Sequence, residues 1–433
     1  MPQLQINQGP QDALLYDNSR SYFTNVGYVR TSNFQMELRD VDPQNNAKLG
    51  STVQFVIPKA ADLLGPVDLM LSMEAAPTGA SGTSAAFVKN FGFACIEQIT
   101  FSVGSHDVEK IWGGDQLNII NELMRDDESR YTTIIGNDGA AVSGMSATAL
   151  TNSNNTPAAA QSFIIPLGLF FTKHPSQYFP LAAIAGCNDV RISIKFRPRA
   201  ELIKTDATAT SLPASGCDIA SAGCQLRCHY VHVTGPEATT LMNKEHVRLM
   251  KVWQRQSATL LNGQNKVSVD LSFLHPVSEL ILILRKESNF AGSDASERDY
   301  FNYVSAMDKL KLTLNGQDRH PSLSEGISKK YLQERLMPML HSNTSEAHIV
   351  SGVSDAQLGS LLGRKEIIVY PFSLNPEGSN PAGAVNFSKV SHAKLTVSLP
   401  DGVTASGDHV VDIFAVNYNW LQIKDGRALT SFA

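Results

Sequence analysis

The strongest constraint in this 433-residue sequence is that one order of strand and turn signals occurs twice, about 205 residues apart. Ile99-Thr100-Phe101-Ser102-Val103-Gly104 is echoed by Leu310-Lys311-Leu312-Thr313-Leu314-Asn315-Gly316, and a helical pattern follows each. Phe163-Ile164-Ile165-Pro166-Leu167 is echoed by Ile368-Val369-Tyr370-Pro371-Phe372, and Val190 to Phe196 by Ala393 to Leu399. Strands draw on a small alphabet, so one echo means little. Several in the same order point to two fused copies of one β-domain.

The strands themselves are short Val/Ile/Phe/Thr runs broken by Gly, Pro, Asn and Asp, the pattern of an all-β sandwich or barrel. They include Val53 to Ile57, Val67 to Met73, Phe163 to Phe171, Val267 to Phe273, Leu280 to Leu284 and Val410 to Ile423. Helical spacing occurs in Asp115 to Met124, with Asp115 as candidate N-cap, and in Lys329 to Met337. The join falls near Gly235-Pro236. The chain therefore divides into an arm (1–19), a first β-domain (20–236), a linker helix (237–250) and a second β-domain (251–433). Gly139 to Gln161 and Thr205 to Gly223 read as long Ser/Thr/Ala-rich loops. Asn315-Gly316 and Asn262-Gly263 suit the positive φ angles of tight hairpins.

Composition narrows the function classes. Charged residues make up 18% and the net charge is -5, so there is no strong pull toward nucleic acid. Up to Asp40 the only basic residues are Arg20, Arg30 and Arg39, which is no genome-packing arm. Cys95, Cys187, Cys217, Cys224 and Cys228 are few and odd in number, fitting a reducing compartment. Neither a signal peptide nor a membrane span is read.

Candidate chemistry fails site by site. Gly104-Ser105-His106-Asp107 holds hydrolase residue types, but neighbours on a strand point to opposite faces, so a hairpin tip is expected. Gly359 to Lys365 lacks the spacing of a phosphate loop. Cys217, Cys224, Cys228, His229 and His232 match no zinc pattern, and Cys228-His229-Tyr230 alternates like a half-buried strand. Asp126-Asp127-Glu128 reads as a solvated loop, and His275 and His320, each before proline, as turn residues. The Asn-x-Ser/Thr triplets at Asn154, Asn343 and Asn386 are expected to be chance. No catalytic, cofactor or metal residue is expected, and no enzyme.

One stretch carries a family resemblance. Pro381-Ala382-Gly383, then Asn386-Phe387-Ser388-Lys389 and Leu395, resembles the signature near the end of the major capsid proteins of large nucleocytoplasmic DNA viruses, of chlorella-virus and iridovirus type. Arg20 to Phe34, the paired Ile165-Pro166-Leu167 and Phe179-Pro180-Leu181, Leu314 to Arg319 and Asn417 to Leu421 resemble further blocks of that family in the same order. Ala382 and Lys389 replace its usual Ser and Arg.

The resemblance implies two tandem eight-stranded antiparallel jelly-roll barrels with short helices in the connecting loops. It also implies a homotrimer of near-sixfold outline that tiles an icosahedral shell in the virion, assembled in the host cytoplasm. Partners would be further capsomers and minor capsid, cement and penton proteins, with an inner membrane touched only indirectly and no direct nucleic acid. Pro381, Gly383, Asn386, Phe387, Ser388, Lys389, Asn315 and Gly316 are then a structural signature, with Phe387 buried and Asn386 bonded to backbone. Rival readings are a minor or vertex capsid protein of the same fold, a glycan-binding virion β-sandwich, and a cupin-like enzyme. The last would need a His-rich metal set, and the glycan binder an aromatic or acidic platform on its loops.

Overall fold

The computed structural model describes residues 32–74, 85–88, 90–124, 134–135, 161–186, 188–205, 217–291, 298–303, 307–319, 327–328, 331–332, 336, 367–376, 378 and 380–432. In the first half, eight strands form a barrel: β1 (Phe34–Val41), β2 (Thr52–Ile57), β3 (Leu63–Met73), β4 (Ile96–Val103), β5 (His106–Ile111), β6 (Gln161–Pro166), β7 (Val190–Phe196) and β8 (Ile219–Val233). The second barrel uses β9 (His246–Leu260), β10 (Lys266–Asp270), β11 (Pro276–Lys286), β12 (Lys309–Leu314), β13 (Gln317–Asp318), β14 (Ile368–Pro371), β15 (Ala393–Ser398) and β16 (His409–Lys424).

Strand neighbours run β1-β8-β3-β6 and β2-β7-β4-β5 in the first barrel, and β9-β16-β11-β14 and β10-β15-β12-β13 in the second. The second order is the first with eight added to every number, and the pairings along these paths are antiparallel. Within each barrel only the fourth and fifth strands form a hairpin; every other connection crosses between the sheets. That is a jelly roll, made twice. Even the small extra pairings repeat: Phe179–Pro180 pairs with the start of β3 as Val385–Asn386 does with the start of β11.

Alternation drives the sandwich. In β7, Val190, Ile192, Ile194 and Phe196 are buried while Arg191 and Lys195 are exposed, which defines an inner and an outer face. The first core is aromatic: Phe101 packs with Phe171 and Phe179, ring centroids 5.3 and 5.2 Å away. The second is aliphatic, with Leu280, Leu282, Leu284 and, beside them in the same sheet, Ile413 packed in one cluster with Leu312, Leu395 and Val397 of the other sheet. β11 is buried along both faces, because Ile281 and Ile283 point outward into the first barrel's apolar cluster. An unbroken apolar run is what a strand covered on both sides requires.

Several expectations are corrected. Phe163 to Phe171 is not one strand: β6 stops at Pro166, and a 3-10 turn takes Phe170–Thr172. The helix near Asp115 starts earlier, so Asp115 lies in its first turn instead of capping it. The linker helix spans Gly235–Asn243, with Pro236 in its first turn, and residues 246–250 already belong to β9. Part of the expected loop Thr205 to Gly223 is strand, since β8 begins at Ile219, with a bulge where Ala222 takes φ 57. Asn262-Gly263 turns between strands of different sheets, so it closes no hairpin, although Gly263 has φ 81. Asn315-Gly316, with φ 50 and 80, does close the β12–β13 hairpin. Expectations about residues 1–31, 126–128, 139–160, 206–216, 320 and 359–365, Cys187, Asn154 and Asn343, and most of 329–337, lie outside the described residues.

Candidate functional site

Two arrangements stand out, a buried ionic joint between the barrels and a motif cluster at one end of the second. The joint begins with backbone geometry. Helix α1 (Phe91–Ala94) packs so tightly on helix α2 (Gly113–Met124) that a Cβ on Gly114 would lie 2.1 Å from the Phe93 carbonyl oxygen. Only glycine allows this approach, and it points the next residue, Asp115, into the second barrel.

There the Asp115 carboxylate accepts from Arg285 NH1 at 2.8 Å and from the Tyr300 hydroxyl at 3.0 Å. Arg285 also donates to Asp412, which accepts from Arg255 NH2 and Ser257 Oγ at 2.8 and 2.7 Å. Arg197 and Arg255 lie 3.7 and 3.8 Å from Asp115. The Tyr300 ring stacks against the guanidinium groups of Arg197 and Arg285, 4.2 and 4.6 Å from its centroid. Asp115 and Asp412 are 0% and Arg285 1% exposed. Burial alone would raise the Asp412 carboxyl, but Arg285 and Arg255 overcome it and hold the carboxyl below its ordinary range. Burial pushes the Tyr300 hydroxyl up to about 12. Trp112 Nε1 donates to the Trp253 carbonyl at 2.8 Å, and Asn118 Nδ2 to the Tyr303 hydroxyl at 3.1 Å.

A second fastening comes from the strand Arg427–Thr430, which folds back on β16. The Gly426 carbonyl accepts from Ala185 N and Asn188 Nδ2 at 3.1 and 2.8 Å, and His106 Nε2 lies 3.2 Å from Thr430 Oγ1. His106 thus sits at the β4–β5 hairpin tip, as expected, and there bridges the barrels. Asp107 is its exposed neighbour. The joint holds acids, bases and hydroxyls, yet they bond one another, and the central charges Asp115, Arg285 and Asp412 are closed to solvent. Its arrangement suits cohesion.

Sequence reasoning missed these charges. The available signal was a charge interrupting an apolar strand: Arg285 directly after Leu280 to Leu284, and Asp412 within Val410-Val411-Asp412-Ile413-Phe414. Glu109 on β5 is a related case. It is buried with one oxygen accepting from Phe170 N at 2.9 Å, and burial pushes its carboxyl up to about 7 against the pull of that N–H and of Lys173. An acid raised in the folded state costs nothing while protonated in both states. Its penalty grows as pH rises from 4.5 toward 7 and persists above, at about 3 kcal/mol. Glu109→Gln keeps an acceptor for Phe170. It is expected to raise the denaturation midpoint at pH 8 and leave it nearly unchanged at pH 4; an equal effect at both would contradict the buried acid.

The motif cluster joins segments far apart in sequence. The Asn315 side-chain oxygen accepts from Ser391 N and His392 N at 2.8 and 3.2 Å, tying the β12–β13 hairpin to the stretch after Lys389. Asn386 Oδ1 accepts from Ser388 N at 3.1 Å, and Ser388 Oγ accepts from His275 N at 2.8 Å. His275 O accepts from Phe387 N, and His275 itself turns with φ 68. Phe387 is buried against Phe273 and Phe372. Gly383 has φ 120 close to Phe372 O, while Pro381, Ser388, Lys389 and Gly316 are exposed. Cys217, Cys224 and Cys228 are buried thiols, and among the described residues no group of His, Cys, Asp or Glu could hold a metal ion. No helix among the described residues is long and apolar enough to cross a membrane.

Residues 21–233 match the family model described as "Major capsid protein N-terminus". The chain is 26% identical over 429 residues to the major capsid protein of Pyramimonas orientalis virus, covering 97% of this chain and 96% of that protein. It is 21% identical over 478 residues to the major capsid protein of Paramecium bursaria Chlorella virus 1, covering 99% and 98%. Its fold is similar to the crystal structure of PBCV-1 VP54 fitted into a reconstruction of the virophage Sputnik, with TM-score 0.71 at 17% identity, covering 95% of this chain and 100% of that one. The Faustovirus major capsid protein superposes with TM-score 0.68 at 13% identity, covering 94% and 93%.

Proposed function

We propose for this chain, which belongs to the major capsid proteins of large DNA viruses, the role of repeating block in an icosahedral shell. One observation carries it: two barrels of identical strand order stand side by side, locked by a joint whose central charges are 0–1% exposed. Three such rigid pairs place six similar barrels around one axis. The result is a homotrimeric block of near-hexagonal outline, a shape that tiles a surface by many modest contacts.

In this reading the signature residues Asn315, Gly316, Pro381, Gly383, Asn386, Phe387, Ser388 and Lys389 work by shaping one end of the second barrel and bind no ligand. The net charge of -5 fits a protein that does not contact the genome. Partners are further copies, minor capsid, cement and penton proteins, with an inner membrane reached through other proteins. The protein acts as a virion component assembled in the host cytoplasm, without catalysis. Electron microscopy of the purified protein tests this reading. Discrete threefold particles of hexagonal outline, three times the 47.0 kDa chain mass, are expected. Monodisperse monomers at all concentrations would overturn it.

A further inference from the structure

The second barrel carries more than its eight jelly-roll strands. After β16 the chain turns through Asp425 and Gly426, with φ 50 and 75, and Arg427–Thr430 returns antiparallel along Leu421–Lys424. Positive φ at both central residues marks a tight two-residue hairpin, and Asp-Gly is a favoured sequence for it. This hairpin lies across the boundary between the barrels. Leu421, Ile423 and Ala428 are buried and join the apolar cluster of the first barrel. Gly426 bridges to Ile184 of the first barrel, so closely that a Cβ there would lie 2.4 Å from Ala185 Cβ.

We propose that this hairpin is a latch: docked, it fixes one barrel against the other, and released, it lets the joint open while each barrel stays folded. Release is feasible because little anchors the returning strand. Of its four residues only Ala428 is buried, and Arg427 and Leu429 face solvent. A strand this short, with so few buried apolar contacts, opens far more readily than a core strand. Neither jelly roll needs it, since both eight-strand orders are complete without Arg427–Thr430.

Where the latch grips decides what it governs. Thr430 N donates to His106 Nε2 at 3.4 Å, and Thr430 Oγ1 lies 3.2 Å from the same nitrogen. His106 opens β5, which runs beside β9 of the second barrel. Just past the other end of β5, Trp112 Nε1 donates to the Trp253 carbonyl at 2.8 Å. β5 is thereby pinned to the second barrel at both ends. Freed at His106, it is held at the Trp112 end, and that bond breaks more often. Beyond Thr430, Asn419 accepts from Phe432 N at 3.1 Å and donates to the Phe432 carbonyl at 2.8 Å. The Phe432 ring stacks on His275, whose N–H bonds the signature residue Ser388. For a shell block, latching separates a chain fit to assemble from one that is merely folded. That last step rests on the capsomer reading, whereas the latch itself does not.

Hydrogen exchange at the Trp112 indole N–H, followed by nuclear magnetic resonance in the whole chain, tests the latch. Gly426→Ala drives a Cβ into Ala185; Gly402→Ala is its control, with a φ of 80 and nothing within 4 Å of the new Cβ. Gly426→Ala is expected to speed Trp112 exchange at least about 10-fold, while strand amides of both barrels keep their protection. Gly402→Ala should leave Trp112 at the parent rate. Thr430→Val, which removes only the hydroxyl facing His106, should shift the exchange the same way by about 3-fold. It decides the matter if Gly426→Ala fails to fold. Unchanged Trp112 exchange overturns the latch, as does equal acceleration by Gly402→Ala. Loss of protection throughout the strands of the first barrel also overturns it, because the hairpin would then be part of that barrel's core. Sedimentation separates the two readings. Variants with a loosened joint that associate like the parent overturn the role in assembly. A parent that never associates overturns the capsomer, and the exchange rates still decide the latch.

Discussion

Arg285→Met is expected to destabilise the protein by about 3–5 kcal/mol, measured by equilibrium denaturation. The methionine fits the volume, so packing is not the main loss. What remains is two buried carboxylates, Asp115 and Asp412, each without its closest cation. Pairing the change with Asp115→Asn should recover part of the loss, because one stranded charge disappears. The double-mutant cycle should therefore show a coupling of at least about 1 kcal/mol. A single-variant cost below about 1 kcal/mol would mean that apolar contacts alone hold the barrels together.

Gly114→Ala is expected to be comparably harmful, at about 3 kcal/mol or more, although it adds only one methyl group and removes no charge. The new Cβ would meet the Phe93 carbonyl oxygen at 2.1 Å and its carbon at 2.7 Å. Both belong to backbone and cannot swing away as a side-chain tip can. The start of α2 must lift, and Asp115 leaves the joint with it. Gly263→Ala provides the control. There the added Cβ meets nothing within 4 Å, and only the φ of 81 is unfavourable, so about 1–2 kcal/mol is expected. Gly114 lies in a helix and has no positive φ, so a loss there no larger than at Gly263 would show that the contact with the Phe93 carbonyl is relieved at little cost.

These two sites mark where the sequence was legible. The tandem architecture could be read because strand alternation and turn residues are local signals, and repetition reinforces them. Ile99 to Gly104 and Leu310 to Gly316 do occupy corresponding strands. Asp115 was misplaced because aspartate before an amphipathic run usually caps it; the pair Gly113-Gly114 carried the contrary message. The start of β9 was obscured because His246 and Arg248 alternate with Val247 and Leu249 directly after a polar, helix-prone stretch, which locally resembles its continuation. The joint itself could not be read, since Arg285 finds Asp115 at a separation of 170 residues and Asp412 at 127. Pattern shows that a charge interrupts an apolar strand, not which partner it meets.

The strand Arg427–Thr430 has a consequence for the order of events during synthesis. Its contact with His106 spans 324 residues, among the most remote pairings in the fold. Contacts of such high sequence separation form late and slowly. The first barrel ends at Val233, roughly 200 residues before Thr430, which is on the order of 10–40 s of synthesis at about 5–20 residues per second. Arg285 follows within about 50 residues, but Asp412 comes only near the end of that interval, and until then the nascent first barrel must keep an apolar surface from wrong partners. The brick sets only when its far half arrives. Fidelity of shell building thus begins as a matter of timing within a single chain.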